Sequence, residues 1–568
     1  MKAHLLILML LFTSLYVNAQ ESSFSEEWTT YTNNNSNVGS DINTGIVADN
    51  KNNVYIIKTT NTENQNLSLG SLSKFSPEGD LLWTTASFGK TFGLAIDHNK
   101  DIIIAGYTNR EEGIATNGVF QENYGGGIGD DAFLMKFDEH GNKIWGTYFG
   151  GAGSEKSHTS AETHYIGLDV DAENNIFWTF GTQSDDMATT NTFQEQRNGA
   201  NYLVTKFNPQ GQRIWSTYYG TDQVQVHSIS GLQVDEAGVY IAGYVHNKDI
   251  ANSYFDTGGN YVFQAQTHSI FISKFDLTGN RIWSYYIPQG DGQNFSRSNA
   301  LLLTNNNLYL TYGTSSTNIG TSDTSFPNMY DPNGSGSGVL ARLDIEGSLL
   351  WTTYLPGTDY PLPLIGTSMA INDGSEIYVM AKKNADGNDM LDGYLSDMEN
   401  SDTYYIIKFD ENGQFVLGNY LGKSSNEVRG VYGMNLYNQG IYFYGGDEGP
   451  HNVATPGAFQ DTPLEGKPNS FLSKYVDESF LDIKSYDNFS VEIYPNPTSS
   501  VLNFRLNEFV DSSIKIEVYN IIGQLTKTKT TSETKGYIDL GDLSSGVYLL
   551  KFQAEDGGKI TTKKIIVK

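Results

Sequence analysis

KFDEHGNKIWGTYFG, residues 136–150, is one of six complete copies of a single phrase. The others are KFSPEGDLLWTTASFG from Lys74, KFNPQGQRIWSTYYG from Lys206, KFDLTGNRIWSYYIP from Lys274, RLDIEGSLLWTTYLP from Arg342 and KFDENGQFVLGNYLG from Lys408. A seventh copy is divided between the chain ends. Its second half, EEWTTY, spans Glu26 to Tyr31, and its first half, FLSKY, spans Phe471 to Tyr475. Each phrase reads as two short apolar runs around an Asp/Asn/Gly turn, the pattern of a β-hairpin. Long repeats of strand-formers predict a β-propeller, and a copy shared by the two ends predicts a ring closed by its first strand.

A second hairpin recurs between the phrases, as in GLAIDHNKDIIIAGYT from Gly93 and GLDVDAENNIFWTFGT from Gly167. Two hairpins per unit make four strands, so seven units predict an all-β fold with a seven-bladed propeller over residues 20–478. The units are longer than a minimal blade, with the excess before the third strand, as in NGVFQENYGGGIGDDAF (Asn117 to Phe133). At these residues the chain resembles the bacterial SBBP-type propeller repeats, from Ser25 to about Val476. That resemblance implies an extracellular propeller and carries little chemistry. Trp28, Trp83, Trp145, Trp215, Trp283 and Trp351 recur at one register and read as packing between blades, with Leu417 in the same slot of the remaining copy.

The chain has 568 residues, no cysteine and a net charge of −29. Disulfides and thiolate metal sites are excluded, as is a lipid anchor on an N-terminal cysteine. The acidic balance argues against nucleic acid as a partner. Lys2, the apolar run Leu5 to Leu15 and Val17-Asn18-Ala19 read as an export signal over residues 1–19, and no later stretch is long and apolar enough for a transmembrane helix. A secreted monomer is expected.

After Asp482 the repeats give way to a linker over residues 479–492 and a module over residues 493–568, whose alternating apolar residues predict a small β-sandwich. This module resembles the type A C-terminal sorting domain of the type IX secretion system of Bacteroidetes. The resemblance falls on Tyr494-Pro495-Asn496-Pro497, Gly523, Leu543 to Tyr548 and the basic tail Lys563 to Lys568. It implies transit through that machinery to the outside, followed by release or attachment at the outer-membrane surface.

Chemistry is sought where the repeats depart from one another, at the rim where each first strand begins and each second strand ends. His164, His227, Arg297 and Arg429 precede first strands, while His246 and Tyr312 follow or end second strands. Such a set suits β-elimination on a uronate-containing, ulvan-like polysaccharide. Arg297 would neutralise the carboxylate, His227 or Tyr312 would take the C5 proton, and His246 would protonate the leaving oxygen. His164 and Arg429 would help bind substrate. This is an analogy of fold and residue type with propeller ulvan lyases, and no lyase motif is matched. The competing reading is a noncatalytic module that binds glycan or protein, because rim loops collect solvated polar residues. No cofactor is implied. The acidic loop Asp386 to Asp402 is the only calcium candidate, and its spacing is not that of a calcium loop.

Overall fold

The computed structural model describes residues 24–32, 41–61, 68–127, 129–155, 166–221, 224–247, 267–287, 294–295, 301–328, 336–356, 369–372, 375–382, 404–421, 430–438, 440–447, 453–464, 469–478, 491–506, 513–520, 524–554 and 560–568. It divides into two units, residues 1–478 and 479–568. Every regular element among the described residues is a strand.

The first unit is a succession of antiparallel sheets. Strand β1 (Phe24–Tyr31) belongs to the last of them. Sheet 1 holds β2 (Asp41–Ala48), β3 (Val54–Asn61), β4 (Ser68–Phe75) and β5 (Leu81–Thr84). Sheet 2 holds β6 (Lys90–Ile96), β7 (Ile102–Thr108), β8 (Asp131–Phe137) and β9 (Lys143–Phe149). Sheet 3 holds β10 (Leu168–Val170), β11 (Ile176–Gly181), β12 (Tyr202–Phe207) and β13 (Arg213–Tyr219). Sheet 4 holds β14 (Val224–Asp235), β15 (Gly238–Asn247), β16 (Thr267–Phe275) and β17 (Arg281–Tyr286).

Sheet 5 has β18 (Asn294–Phe295) and β19 (Leu301–Thr304) beside β20 (Asn307–Thr314), then β21 (Ser337–Asp344) and β22 (Leu349–Leu355). Sheet 6 holds β23 (Met369–Ile371), β24 (Ile377–Lys382), β25 (Tyr404–Phe409) and β26 (Phe415–Tyr420). Sheet 7 holds β27 (Gly430–Tyr437), β28 (Gly440–Asp447), β29 (Asn469–Asp477) and β1. The first strands touch in succession, β2 with β6, then β10, β14, β19, β23 and β27, and β27 touches β2. Strand β1 pairs antiparallel with β29, from Phe24 opposite Asp477 to Tyr31 opposite Phe471.

The turns explain why the phrase folds alike each time. Asp138 Oδ1 accepts the backbone N–H of His140 (2.9 Å) and Asn142 (2.8 Å), and Asn208, Asp276, Asp344 and Asp410 do the same at their own turns. Gly141 follows at φ 84°, where a side chain is strained, and a Cβ there would lie 3.0 Å from the Trp83 ring of the preceding sheet. The tryptophans thus roof the next sheet's turn, as expected of packing residues. Their indole N–H groups donate to backbone carbonyls of that turn: Trp28 to Pro77 (2.9 Å), Trp83 to Glu139 (3.3 Å), Trp145 to Pro209 (2.9 Å), Trp215 to Leu277 (2.9 Å) and Trp351 to Glu411 (3.0 Å). Trp283 is the exception. Tyr285 stacks on it (5.0 Å) and itself meets Gly347, and the buried indole N–H has no partner among the described residues.

In sheets 1 to 3 the lysine opening the phrase lies beside an acid of the first hairpin's turn. Lys136 Nζ lies 2.6 Å from Asp97 and 3.0 Å from Asp101, and Lys206 lies 3.4 Å from Asp171. Removing either partner would strand a buried charge, so these positions resist change.

The second unit has two sheets, one of β30 (Val491–Tyr494), β31 (Val501–Leu506) and β34 (Lys535–Asp539), the other of β33 (Leu525–Thr531), β32 (Ile514–Asn520), β35 (Gly546–Ala554) and β36 (Ile560–Val567). Leu502, Phe504, Ile516, Leu550 and Phe552 join in one buried cluster.

Candidate functional site

The backbone brings three histidines to one end of sheet 4. His246 on β15 is the register partner of His268 on β16 and lies one rung beyond the pair Val226–Val245, and His227 on β14 sits at the bulge between Val226 and Ser228. His268 is not among the residues singled out from the sequence. Its signal was available as a second histidine at a strand end of the same repeat, but only the register sets it opposite His246.

Tyr312, on β20 opposite Val339, is fully buried in a cluster with Phe326, Val339 and Tyr354. A side chain without exposure presents no hydroxyl to a polymer, so the structure makes Tyr312 a core residue. Arg297 comes two residues after β18, which pairs with the end of β20, but Arg297, His164 and Arg429 lie outside the described residues. The acidic loop Asp386 to Asp402 also lies outside them, and among the described residues no cluster of three or more acids, histidines or cysteines could hold a metal.

A second polar cluster, not anticipated, lies between sheets 2 and 3. Glu155 is fully buried and accepts from the hydroxyls of Ser184 and Thr182 and from Gly151 N–H (3.3 Å). Burial pushes its carboxyl up to about 7, with the nearby Asp131 adding to the rise and the donors opposing it. Asp131, equally buried, accepts from Gly125 N–H (2.6 Å); burial raises it to about 6, opposed by that bond and by a bond with Glu155. Sheet 3 has Asn201 where sheet 2 has Asp131, and that asparagine bonds to the backbone of Val226.

At the opposite ends of the first strands lies a cavity of about 390 Å³, bounded by the ends of β19, β23 and β27. Among the described residues its lining carries no ionisable side chain.

In the second unit Asn496 and Thr498 cover the outer edge of the last strand. Asn496 Nδ2 donates to Lys564 O (2.8 Å) and Oδ1 accepts from Ile566 N–H (2.9 Å); Thr498 N–H then donates to Ile566 O (2.9 Å) and Lys568 N–H to Thr498 O (2.8 Å). The side-chain amide and one residue of backbone stand in for a neighbouring strand, which blunts the edge.

Residues 492–568 match the family model described as the secretion system C-terminal sorting domain. The chain is a secreted, outer-membrane-surface protein. A 92-residue stretch, 16% of the chain, is 29% identical to the ulvan lyase NLR42 of Nonlabens ulvanivorans, and the chain spans only 17% of that enzyme's length. Among solved structures, PorZ of Porphyromonas gingivalis, described as an essential surface component of the type IX secretion system, aligns over 94% of this chain and 74% of its own. The identity is 11% and the TM-score 0.25. The alpha-L-arabinanase of Penicillium chrysogenum aligns over 73% and 96%, at 9% identity and a TM-score of 0.27. The β-propeller domain of the trilobed protease of Pyrococcus furiosus aligns over 78% and 95%, at 7% identity and a TM-score of 0.34. At these scores none bears on the site.

Proposed function

We propose that residues 20–478 form a closed seven-bladed propeller of the SBBP type, exported by the sorting domain to act on extracellular polysaccharide. The reaction that fits best is β-elimination on a uronate-containing, ulvan-like glycan. The observation that carries this reading is the gathering of His227, His246 and His268 at one end of sheet 4, supported by the partial likeness to an ulvan lyase. Histidine titrates near neutrality and can exchange protons in both directions at the working pH. In this scheme Arg297 pairs with the uronate carboxylate, which makes the C5 proton removable. His227 takes that proton, and His246 delivers one to the leaving oxygen as the C4–O bond breaks. His164 and Arg429 bind flanking residues of the polymer. The C5–H electron pair becomes the new C4–C5 double bond, so no oxidant or cofactor is consumed.

The test is incubation of the full chain with ulvan, alginate and pectin while the ultraviolet absorbance of the unsaturated product is followed. A rise that His227→Ala and His246→Ala each abolish supports the lyase; no rise with any polymer, or a rise both variants leave intact, removes it. The burial of Tyr312 favours a second reading, a noncatalytic propeller that binds glycan or protein at the same rim. Retention of the chain in polymer-containing gels without product formation would identify it.

A further inference from the structure

The first hairpin's turn carries an acid in sheets 1 to 4: Asp49, Asp97, Asp171 and Asp235. In sheets 5 to 7 the same position holds Thr304, Asn372 and Tyr437. The buried cation of the phrase is not abandoned there, because other groups meet it. Arg342 donates to Asn307 Oδ1 (3.0 Å), Lys408 lies 2.9 Å from Asp477 and 3.0 Å from Glu376, and Lys474 lies 2.8 Å from Glu27. The acid is absent from that one position along one arc of the turns, although Glu376 keeps a carboxylate in the turn of sheet 6. The uncharged cavity of about 390 Å³ lies at that arc.

The residue two places before that turn position explains why space opens here. In sheets 3 and 4 that residue reaches the next first strand: Asp169 Oδ2 accepts Val234 N–H (2.9 Å), and Gln233 Oε1 accepts Leu303 N–H (3.2 Å). In sheets 5, 6 and 7 the residues are Leu302, Ala370 and Asn435, and all three line the cavity. Ala370 leaves the most room. Strands β19, β23 and β27 are also the end strands of their sheets, so one edge of each backbone is not paired within a sheet. Backbone groups on such an edge need partners.

We propose that this cavity binds one neutral sugar residue, an inference that rests on the polysaccharide reading above. Leu302 and Leu436 give an apolar wall for the C–H face of a pyranose. Asn435, Thr304 and the strand edges meet its hydroxyls, since Asn305 and Asn372 already bond to Ser375 and Glu376. A uronate would be desolvated with no cation among the described lining residues. The volume suits a small ligand, as sites of roughly 300–1,000 Å³ do. The cavity lies at the end of the first strands opposite His227, so the two sites can be probed separately.

The experiment is saturation-transfer NMR of the full chain with xylose, rhamnose, glucose, galactose and glucuronate, each alone. The proposal expects transfer to at least one neutral sugar, at least tenfold weaker in Ala370→Phe, while any glucuronate transfer, which the rim proposed above can supply, is unchanged by that variant. Asn435→Leu, at a half-buried position, is the second variant should Ala370→Phe not fold, with an expected loss of at least fivefold. Ile144→Ser, at an exposed position beside Trp145, should leave the signal unchanged. No transfer to any neutral sugar, neutral-sugar transfer that survives the cavity variant, or glucuronate transfer that falls with it overturns the site. Polymer-gel retention by a chain that binds no free sugar would overturn this inference alone. Sugar binding without retention by any polymer would keep the cavity site and remove the polysaccharide reading.

Discussion

At five junctions between successive sheets, the residue three places after the phrase's cation offers its backbone carbonyl to a tryptophan indole. Between sheets 6 and 7 that residue is Asp477, the end of β29, and it offers a carboxylate instead. Asp477 is fully buried and accepts from Tyr378 Oη (2.7 Å) and Lys408 Nζ (2.9 Å), while the preceding sheet carries Leu417 in place of tryptophan. The reason is topological. Sheet 7 is assembled from both chain ends, so it has no turn between its last two strands for an indole to roof. The departure from the repeat follows from pairing two strands that are not consecutive in the chain.

The largest effect should come from Asp477→Ala, which leaves a buried lysine and tyrosine without their shared acceptor and should cost about 3–5 kcal/mol in denaturant unfolding. A loss no greater than that of a surface substitution would break the contrast. Exchanging the junction residues sharpens it. Trp145→Leu should cost about 2–3 kcal/mol through lost volume and the bond to Pro209. Leu417→Trp should not stabilise and should cost about 1–3 kcal/mol by overpacking. A gain in midpoint for Leu417→Trp would show that the seventh sheet can roof an indole after all.

The Glu155–Asp131 pair tests the junction of sheets 2 and 3 by pH. Both carboxyls titrate above their unfolded values of 4.5 and 3.8, near 7 and 6. Their contribution is full at acid pH and is lost as pH rises through about 6 to 7, because the unfolded chain has already released those protons. Unfolding midpoints compared at about pH 4.5 and about pH 8 should fall with pH, and Glu155→Gln should flatten the fall. The smallest effect belongs to Ile144→Ser. Ile144 is 47% exposed beside Trp145, and its loss should change stability by no more than about 0.5 kcal/mol.

Repetition made much of the first unit readable. The tryptophan register, the turn glycines and the packing role of Leu417 all follow from aligning one phrase with its copies. Asp477 was hidden because it lies beyond the broken copy, where no aligned residue shows its use. The rim was only partly legible. His227 falls at a bulge and His268 opposite His246, and both depend on strand register that short apolar runs leave open. Tyr312 looked like a strand exit and is a core residue, since alternation cannot tell which face of an inner strand a neighbouring sheet will cover. Glu155 sits in a glycine-rich stretch that reads as solvated loop, and only three-dimensional packing puts Ser184 and Thr182 over it.

The pairing of Thr29 with Ser473, whose hydroxyls meet at 2.8 Å across 444 residues, fixes a timetable. Strand β1 emerges from the ribosome before any other part of the sheet array and must wait for the whole of it before finding its neighbour. Until Asp477 has followed, Trp28, Thr30 and Tyr31 lack the strand they pair with in sheet 7. Anything that holds early segments unfolded until Asp477 has followed would spare the chain a premature, wrongly partnered edge.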